Sequence, residues 1–293
     1  MPVISVILPT HDRPDLVGRA LASVLAQHDA DFEVVLVDNN QNAAPVAGQT
    51  SLRAMLTDPR VKLVHATAAR SAGAARNVGL RVARGEWVTF LDDDDEYAPG
   101  KLARQLACAR LTDAPLVLCG YTVSLNLRQR KIQIKTELFS HDGLLLDAIW
   151  GTPFLFIRRE PGACFDETLQ SGEDICFAQD YLQRRQLKCV PCVPSPLVIV
   201  HLQPGARVNE RNEANWRAAR RVLVRFGSRY SRVARRRFLI RALLQRYKGA
   251  EGSWPRLLGV GCRLLRQGGF SEGRRVINAW LYRTGWFNRW LVS

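Results

Sequence analysis

Residues Trp87 to Tyr97, WVTFLDDDDEY, set four consecutive aspartates directly after a run of aromatic and β-branched residues that reads as a strand. Like charges at that spacing repel one another unless water or a cation screens them. One reading is a solvated acidic loop. The other uses the alternation of side chains along an extended segment, which sends Asp92 and Asp94 to one side and Asp93 to the other. Two hard carboxylates converging on one point suit Mg2+ or Mn2+, and magnesium sites combine one or two carboxylates with substrate phosphates and water. A second acidic pair, Glu173 and Asp174 in SGEDICFAQDYLQRR, stands in the first turn of an amphipathic helix, where the macrodipole favours negative charge.

The elements that must hold these residues alternate regularly. Val3 to Leu8 is a near-continuous apolar run of the kind found in strands buried on both faces. The pattern then predicts a helix from Pro14 to Gln27 with Asp12 as its cap and a strand in FEVVLVDNN. Helix Ala44 to Leu56, strand Val61 to Ala66, helix Ser71 to Arg84 and strand Trp87 to Leu91 follow. Strand and helix in series imply right-handed crossovers and a mostly parallel sheet flanked by helices. In such sheets ligands bind beyond the carboxyl ends of the strands, and Thr10, Asp38 and Asp92 to Asp95 each directly follow an apolar run. Further on, Pro99 is placed to open a helix running through GKLARQLACARL. PLVLCGYTV and TPFLFIRRE read as strands, Arg128 to Trp150 is ambiguous, and the helix after GED turns Ile175, Phe177, Ala178 and Leu182 inward.

Composition bounds the class. With 47% hydrophobic and 24% charged residues over 293 positions, the chain is globular and has ample core. MPVISVILPT lacks a basic n-region and a full apolar h-region, so no secretory leader is expected. The least charged stretch, Leu144 to Ile157, is interrupted by Asp147, Gly151 and Pro153 and is too short for a membrane span. Seven cysteines, an odd number, point to a reducing compartment, and CVPC at Cys189 to Cys192 lacks a second pair for zinc. The net charge of +15 is uneven: up to Ala206 there are 21 basic and 23 acidic residues, and from Arg207 onward 21 basic and 4 acidic. The division expected is therefore 1–206 for a catalytic domain and 207–293 for a basic helical region. In that tail, arginines alternate with Val, Leu, Phe, Tyr and Trp at helical spacing, which suits an anionic membrane surface. Nucleic acid is the disfavoured partner and a helical cap on the catalytic domain is the plain alternative.

In sequence order, ISVILPTHDRPDLVGRALASVLAQ, FEVVLVDNN, SAGAARNVGLRVARGEWVTFLDDDDEYAPGKLARQ and FDETLQSGEDICFAQDYLQRR resemble the family 2 inverting glycosyltransferases of the GT-A fold. The resemblance covers roughly residues 3–205, and its most specific part is Ser71 to Gln105. It implies an α/β, Rossmann-like fold with a basic α-helical C-terminal extension. It also implies a nucleotide-diphosphate-sugar donor, UDP-sugar first among them, held with Mn2+ or Mg2+ through an Asp-x-Asp motif. On that basis Asp92, Asp93 and Asp94 match the motif and Asp95 its neighbouring acid. Pro9, Thr10, Asp38, Arg76 and Asn77 match the nucleotide contacts. The GED segment makes Asp174 the candidate general base with Glu173 as the nearby alternative. Trp150 could stack on the acceptor sugar or belong to the core. His201, in a segment resembling the family's closing loop over the diphosphate, is a metal or phosphate ligand or a buried histidine.

The resemblance implies metal-dependent, inverting sugar transfer to a hydroxyl of a glycan or lipid-linked acceptor in cell-surface polysaccharide biosynthesis. The expected location is cytoplasmic and peripheral to the inner face of the plasma membrane. Without transmembrane helices after the catalytic domain, the chain does not look like a processive synthase. Two other classes fit parts of the pattern: a nucleic-acid-binding protein with a non-catalytic nucleotide pocket, and a nucleotidyltransferase. The second normally needs a basic phosphate-gripping loop near the first strand, where PTHDRPD offers only Arg13.

Overall fold

The computed structural model describes residues 2–246 except for 12, 41–49, 126–127, 133, 135, 149, 170 and 203–207. Two compact units divide between Pro204 and Gly205. The first is built on a mixed sheet. Its opening strand, β1 (Ile4–Thr10), is buried at every position, as is β2 (Phe32–Asp38), and that is why both read as unbroken apolar runs. Between them α1 (Pro14–Leu25) lays Val17, Ala20, Leu21 and Val24 on the core. Its N-cap is Arg13, with Pro14 at the first helical position. Of the helix expected from Ala44, α2 (Thr50–Leu56) is described and the earlier residues lie outside the described set.

β3 (Val61–His65) pairs in parallel with β2, and α3 (Ala72–Val82) carries the chain back to β4 (Trp87–Phe90), which pairs in parallel with the other side of β1. Strand order therefore reverses at β1, and the crevice beyond the carboxyl ends of β1 and β4 is the topological switch point where ligands bind in such sheets. Register places Thr10 opposite Asp38 there. Gly79 lets α3 lie directly on β1, since a Cβ at that position would stand 2.4 Å from Ile7 Cγ2.

β5 (Glu96–Tyr97) and α4 (Lys101–Thr112) follow. Pro99 precedes the helix rather than opening it, because Gly100 takes the cap position at φ 74°. From α4, Lys101 and Gln105 enter the core. The Lys101 amine donates to Thr89 Oγ1 at 2.9 Å and Gln105 Oε1 at 2.7 Å and lies 4.1 Å from the Tyr97 ring centroid. β6 (Leu116–Leu125) then enters the sheet, and the segment left ambiguous by its pattern resolves into β7 (Arg128–Ile132), β8 (Leu138–Phe139) and the short α5 (Gly143–Leu146). TPFLFIRRE is a strand only in part. Thr152–Phe154, around Pro153, forms a 3-10 turn, and β9 (Phe156–Arg158) runs antiparallel between β4 and β6.

α6 (Glu173–Arg184) buries Cys176, Phe177, Ala178, Gln179, Tyr181 and Leu182, while Ile175, expected inward, is only half-buried. β10 (Val190–His201) pairs in parallel with β6 and brings the chain back to the carboxyl edge at His201. The sheet is thus mixed and flanked by helices, and its β3–β2–β1–β4 part is parallel, as the alternation predicts.

The second unit contains α7 (Val208–Phe226) and α8 (Arg232–Arg246), which pack on each other. Arg246 joins them, donating to Glu213 Oε2 at 2.7 Å and lying over the Trp216 ring. Val224 and Val233 are exposed between arginines. No helix among the described residues is long and apolar enough to cross a membrane. The remaining tail, 247–293, lies outside the described residues.

Candidate active site

The acidic cluster is a turn, not an extended strand end. β4 stops at Phe90, and Asp95 N donates to Asp92 O at 3.1 Å, closing Asp92 to Asp95 into one turn. The alternation expected for Asp92, Asp93 and Asp94 is corrected accordingly. In a turn neighbouring side chains diverge, and each carboxylate finds its own partner. Asp92 Oδ1 pairs with Arg76 Nη2 at 2.5 Å and accepts from Thr152 Oγ1 at 3.4 Å. Asp93 accepts from Thr10 Oγ1 at 2.9 Å and Arg13 Nη1 at 3.2 Å, and Asp94 Oδ2 accepts from the same Arg13 nitrogen at 3.1 Å. Asp95 Oδ1 accepts the backbone N–H of His201 at 3.1 Å. Burial raises the Asp93 carboxyl above its ordinary range, and burial with repulsion from Asp92 and Asp94 pushes Asp95 up to about 8.

This arrangement sorts the four acids. Asp93 and Asp95 are buried supports, while the Asp92 and Asp94 side chains keep 34% and 28% of their surface exposed. Asp92 Oδ2 and Asp94 Oδ1 accept no hydrogen bond from a described residue. Two such hard oxygens fit a divalent cation that completes its shell with phosphate and water. Among the described residues no three His, Cys, Asp or Glu side chains gather in a metal-binding arrangement. Of the expected ligand set of Asp92, Asp94, Asp95 and His201, Asp95 is buried and accepts the backbone N–H of His201, while Asp92 and Asp94 keep open oxygens.

His201 itself pairs with Glu96: its Nε2 lies 2.6 Å from Glu96 Oε1, and Glu96 also meets Arg19 at 3.2 Å. Its Nδ1 has no hydrogen bond to a described residue.

At the neighbouring strand ends, Pro9 and Thr10 are buried and Thr10 O accepts from Asn39 N at 3.1 Å. Asp38, 1% exposed, takes two hydrogen bonds from Asn40 on Oδ1, at 3.0 Å from N and 2.7 Å from Nδ2. Its Oδ2 is buried with no hydrogen-bond partner among the described residues, and His65 Nδ1 stands 3.6 Å away. A buried carboxylate oxygen without a donor is costly unless a ligand N–H or O–H supplies one.

The small residues of SAGAARN set α3 close to the loop that leads to α6. Ser71 caps the helix by accepting from Ala74 N at 3.2 Å, and a Cβ on Gly73 would stand 3.3 Å from Phe165 Cβ. Asn77 is committed to that loop. Its Nδ2 donates to Phe165 O at 2.9 Å and Glu167 Oε1 at 2.8 Å, and its Oδ1 accepts from Phe165 N at 2.7 Å. Both amide hydrogens are engaged inside the protein, so the nucleotide contact expected of Asn77 is corrected to a loop anchor. The Arg76 guanidinium, 5% exposed, lies 5.5 Å from the Phe165 ring centroid and pairs with Glu173 Oε1 at 3.2 Å as well as with Asp92. The acceptor contact expected of Trp150 is also corrected. Its ring is 6% exposed and its Nε1 donates to Leu144 O at 2.8 Å, which leaves no face for a sugar.

Gly172 at φ 74° makes the bend that starts α6, so Glu173 and Asp174 occupy its first turn. Asp174 is half-buried and its Oδ1 accepts the N–H of Ile175 at 2.7 Å. Burial pushes its carboxyl up to about 7. Repulsion from Glu173 adds to this, while the Ile175 bond and the Arg76 charge oppose it. A carboxylate poised there can take a proton at neutral pH. Sequence reasoning missed Thr152 and Glu96, which carry no local signal, and it weighed Arg13 only as a phosphate grip.

Residues 5–154 match the Glycosyl transferase family 2 pattern, a stretch that includes Thr10, Asp38, Arg76 and the four aspartates. The chain belongs to glycosyltransferase family 2. It is 31% identical over 224 residues to the succinoglycan biosynthesis protein ExoO of Rhizobium meliloti, covering 70% of this chain and 62% of ExoO. It is 29% identical over 125 residues to the Escherichia coli UDP-Glc:alpha-D-GlcNAc-diphosphoundecaprenol beta-1,3-glucosyltransferase WfgD, covering 42% of this chain and 47% of that one. The chain thus spans less than two thirds of either relative. Residues 1–349 of S. aureus TarS, crystallised with UDP-GlcNAc, share the fold with a TM-score of 0.63 at 18% identity, over 96% of this chain and 92% of that one. The fold is GT-A, as the resemblance implies.

Proposed function

We propose that this family 2 glycosyltransferase moves a sugar, with inversion, from a UDP-sugar to a hydroxyl of a glycan or lipid-linked acceptor in cell-surface polysaccharide biosynthesis. The observation that carries the reading is the meeting of two kinds of acid at one edge of the sheet. Asp92 and Asp94 each present an uncommitted, half-exposed oxygen, and Arg76 links Asp92 to a helix start where Asp174 is half-buried. Support for the donor comes from the orphaned Asp38 Oδ2, which suits an N–H of a nucleobase, and from the UDP-GlcNAc bound by TarS. Support for the acceptor comes from the relatives: ExoO is a succinoglycan biosynthesis protein, and WfgD is a glucosyltransferase acting on alpha-D-GlcNAc-diphosphoundecaprenol.

In this reading Pro9, Thr10 and Asp38 hold the nucleoside while Asp92 and Asp94 hold Mn2+ or Mg2+. When bound, the cation neutralises charge on the leaving diphosphate. Asp174 accepts the proton of the acceptor hydroxyl as that oxygen bonds to the anomeric carbon. The bond from that carbon to the phosphate oxygen breaks on the opposite face, and the nucleoside diphosphate leaves with the electron pair. One in-line displacement inverts the centre and needs no protein nucleophile. His201, with Nε2 on Glu96, offers Nδ1 to the diphosphate or its cation, since a histidine anchored through one ring nitrogen is oriented for ligation through the other.

The catalytic domain is taken as 1–206 and the basic helical region as 207–293, the latter resting on the anionic inner face of the plasma membrane. The alternation of arginines with exposed Val224 and Val233 supports that location. Screening nucleotide sugars for metal-dependent thermal stabilisation, followed by product analysis with a lipid-linked acceptor, tests the reading. Stabilisation by UDP-sugars only with Mn2+ or Mg2+, and a product of inverted anomeric configuration, are expected. No stabilisation by any nucleotide sugar would overturn it.

A further inference from the structure

Arg76 is one of the most deeply buried cations of the first unit, and its fork is divided. Nη2 meets Asp92 Oδ1 at 2.5 Å on the turn after β4, and Nη1 meets Glu173 Oε1 at 3.2 Å at the start of α6. Its Nε is buried without a hydrogen-bond partner among the described residues, and the group lies against the Phe165 ring. Such a guanidinium is tolerated only while its counter-ions stay in place. Two nitrogens on two separate carboxylates hold those carboxylates at a fixed separation, which a lysine, a point charge on a flexible stem, cannot do. The two acids lie 81 positions apart in sequence, on segments that Arg76 joins.

We propose that Arg76 is a positioning residue: it ties Glu173 to Asp92, couples the acceptor-side helix to the donor-side turn, and leaves Asp174 as the acid free to act on the acceptor. This rests on the reading of the edge as a glycosyl-transfer site. The consequence is a linkage. With Glu173 present, Arg76 shares its charge between two anions. With Glu173 neutralised, Arg76 leans wholly on Asp92 and competes with any cation that Asp92 binds. Glu173 therefore influences donor binding without touching the donor.

Calorimetry of Mn2+ with UDP on the full chain tests this in four proteins: wild type, Glu173→Gln, Arg76→Lys and the double variant. Glu173→Gln should weaken Mn2+–UDP binding roughly 10-fold in the wild-type background and leave it unchanged in the Arg76→Lys background, as expected for members of one network. Melting of the same proteins without ligand should show the same coupling, and in turnover Arg76→Lys should lower kcat more than it raises KM. If Arg76 merely touched the diphosphate, Arg76→Lys would act chiefly on KM and Glu173→Gln would leave affinity and melting unchanged; that result overturns the proposal. Should Arg76→Lys fail to fold, Glu173→Gln against Asp174→Asn decides: weakened donor binding in the first and unaltered binding in the second support the bridge, and equal effects refute it. A wild-type protein that binds no Mn2+–UDP, yet shows the melting cycle, refutes the transfer reading and leaves the bridge standing.

Discussion

Thr10 donates its hydroxyl hydrogen to Asp93 at 2.9 Å, joining the end of β1 to the acidic turn across 83 residues of sequence. That bond removes Asp93 from the exposed set and divides the work among its neighbours. Asp94→Asn should weaken metal-dependent UDP binding about 10-fold while barely moving Tm, because its partner Arg13 is half-exposed and such pairs contribute about 0–1 kcal/mol. Asp92→Asn should do the same to binding and also destabilise the fold by roughly 1–3 kcal/mol, since it strips one anion from buried Arg76. Calorimetry and thermal melts of both variants check this, and equal Tm in the two would contradict it.

Asp38→Ala should lower UDP affinity by about 10- to 100-fold, the loss of one hydrogen bond to a charged acceptor. Affinity for inorganic pyrophosphate with Mn2+ should stay unchanged, because Asp38 lies at the end of β2 and not on the acidic turn. Equal losses for both ligands would detach Asp38 from the base.

For Asp174, pushed up to about 7, the active form is the carboxylate, so kcat/KM should rise with pH through about 7 and level off above it. Asp174→Asn should lower kcat by about 10² to 10⁴ and retain donor binding, while Glu173→Gln keeps kcat at saturating donor. A pH-independent residual rate in Asp174→Asn, together with a crippled Glu173→Gln, would move the base by one residue.

Burial pushes the Lys101 amine down from 10.5 to about 8. Between those values the unfolded chain holds a proton that the folded chain has released, so this group's contribution to stability rises with pH across the window. Below about 8 its burial penalty is present in full. The difference in unfolding free energy between wild type and Lys101→Met should therefore move toward wild type by roughly 3 kcal/mol from pH 8 to 10.5. Urea titrations at several pH values measure it, and the comparison cancels the ionisation of cysteines and tyrosines not coupled to Lys101, Cys119 being the coupled one. A pH-independent difference would mean the amine stays charged.

The full chain should sediment with anionic liposomes at 0.15 M salt and be released at about 1 M, where screening shortens the reach of its arginines. A chain ending at Pro204 should remain in the supernatant at both. Equal sedimentation of the two would assign the basic helices another role.

Strands β1 to β4, their parallel pairing and the edge bearing Thr10, Asp38 and the aspartates were legible because buried strands are continuous apolar runs and crossovers have one hand. Less visible was whatever depends on contacts between distant segments. Four aspartates after a strand give no hint that the backbone turns at Asp92, because the turn is held by Thr10, Arg13 and Arg76. Trp150 beside GTPFLF reads equally as a stacking platform or as core, and only its bond to Leu144 O decides. Asn77 carries no mark of the loop it anchors 88 positions away.

The bonds that join the site's separate segments are long in sequence: 83 positions for Thr10 to Asp93, 97 for Arg76 to Glu173, 105 for His201 to Glu96. Contacts of that separation require large loops to close first, and they form slowly relative to helices and local turns. Secondary structure can therefore be regained well before the pocket exists. During refolding, nucleotide binding should trail the far-ultraviolet circular dichroism signal, and ligand present from the start can reward only those molecules whose distant strands have already met.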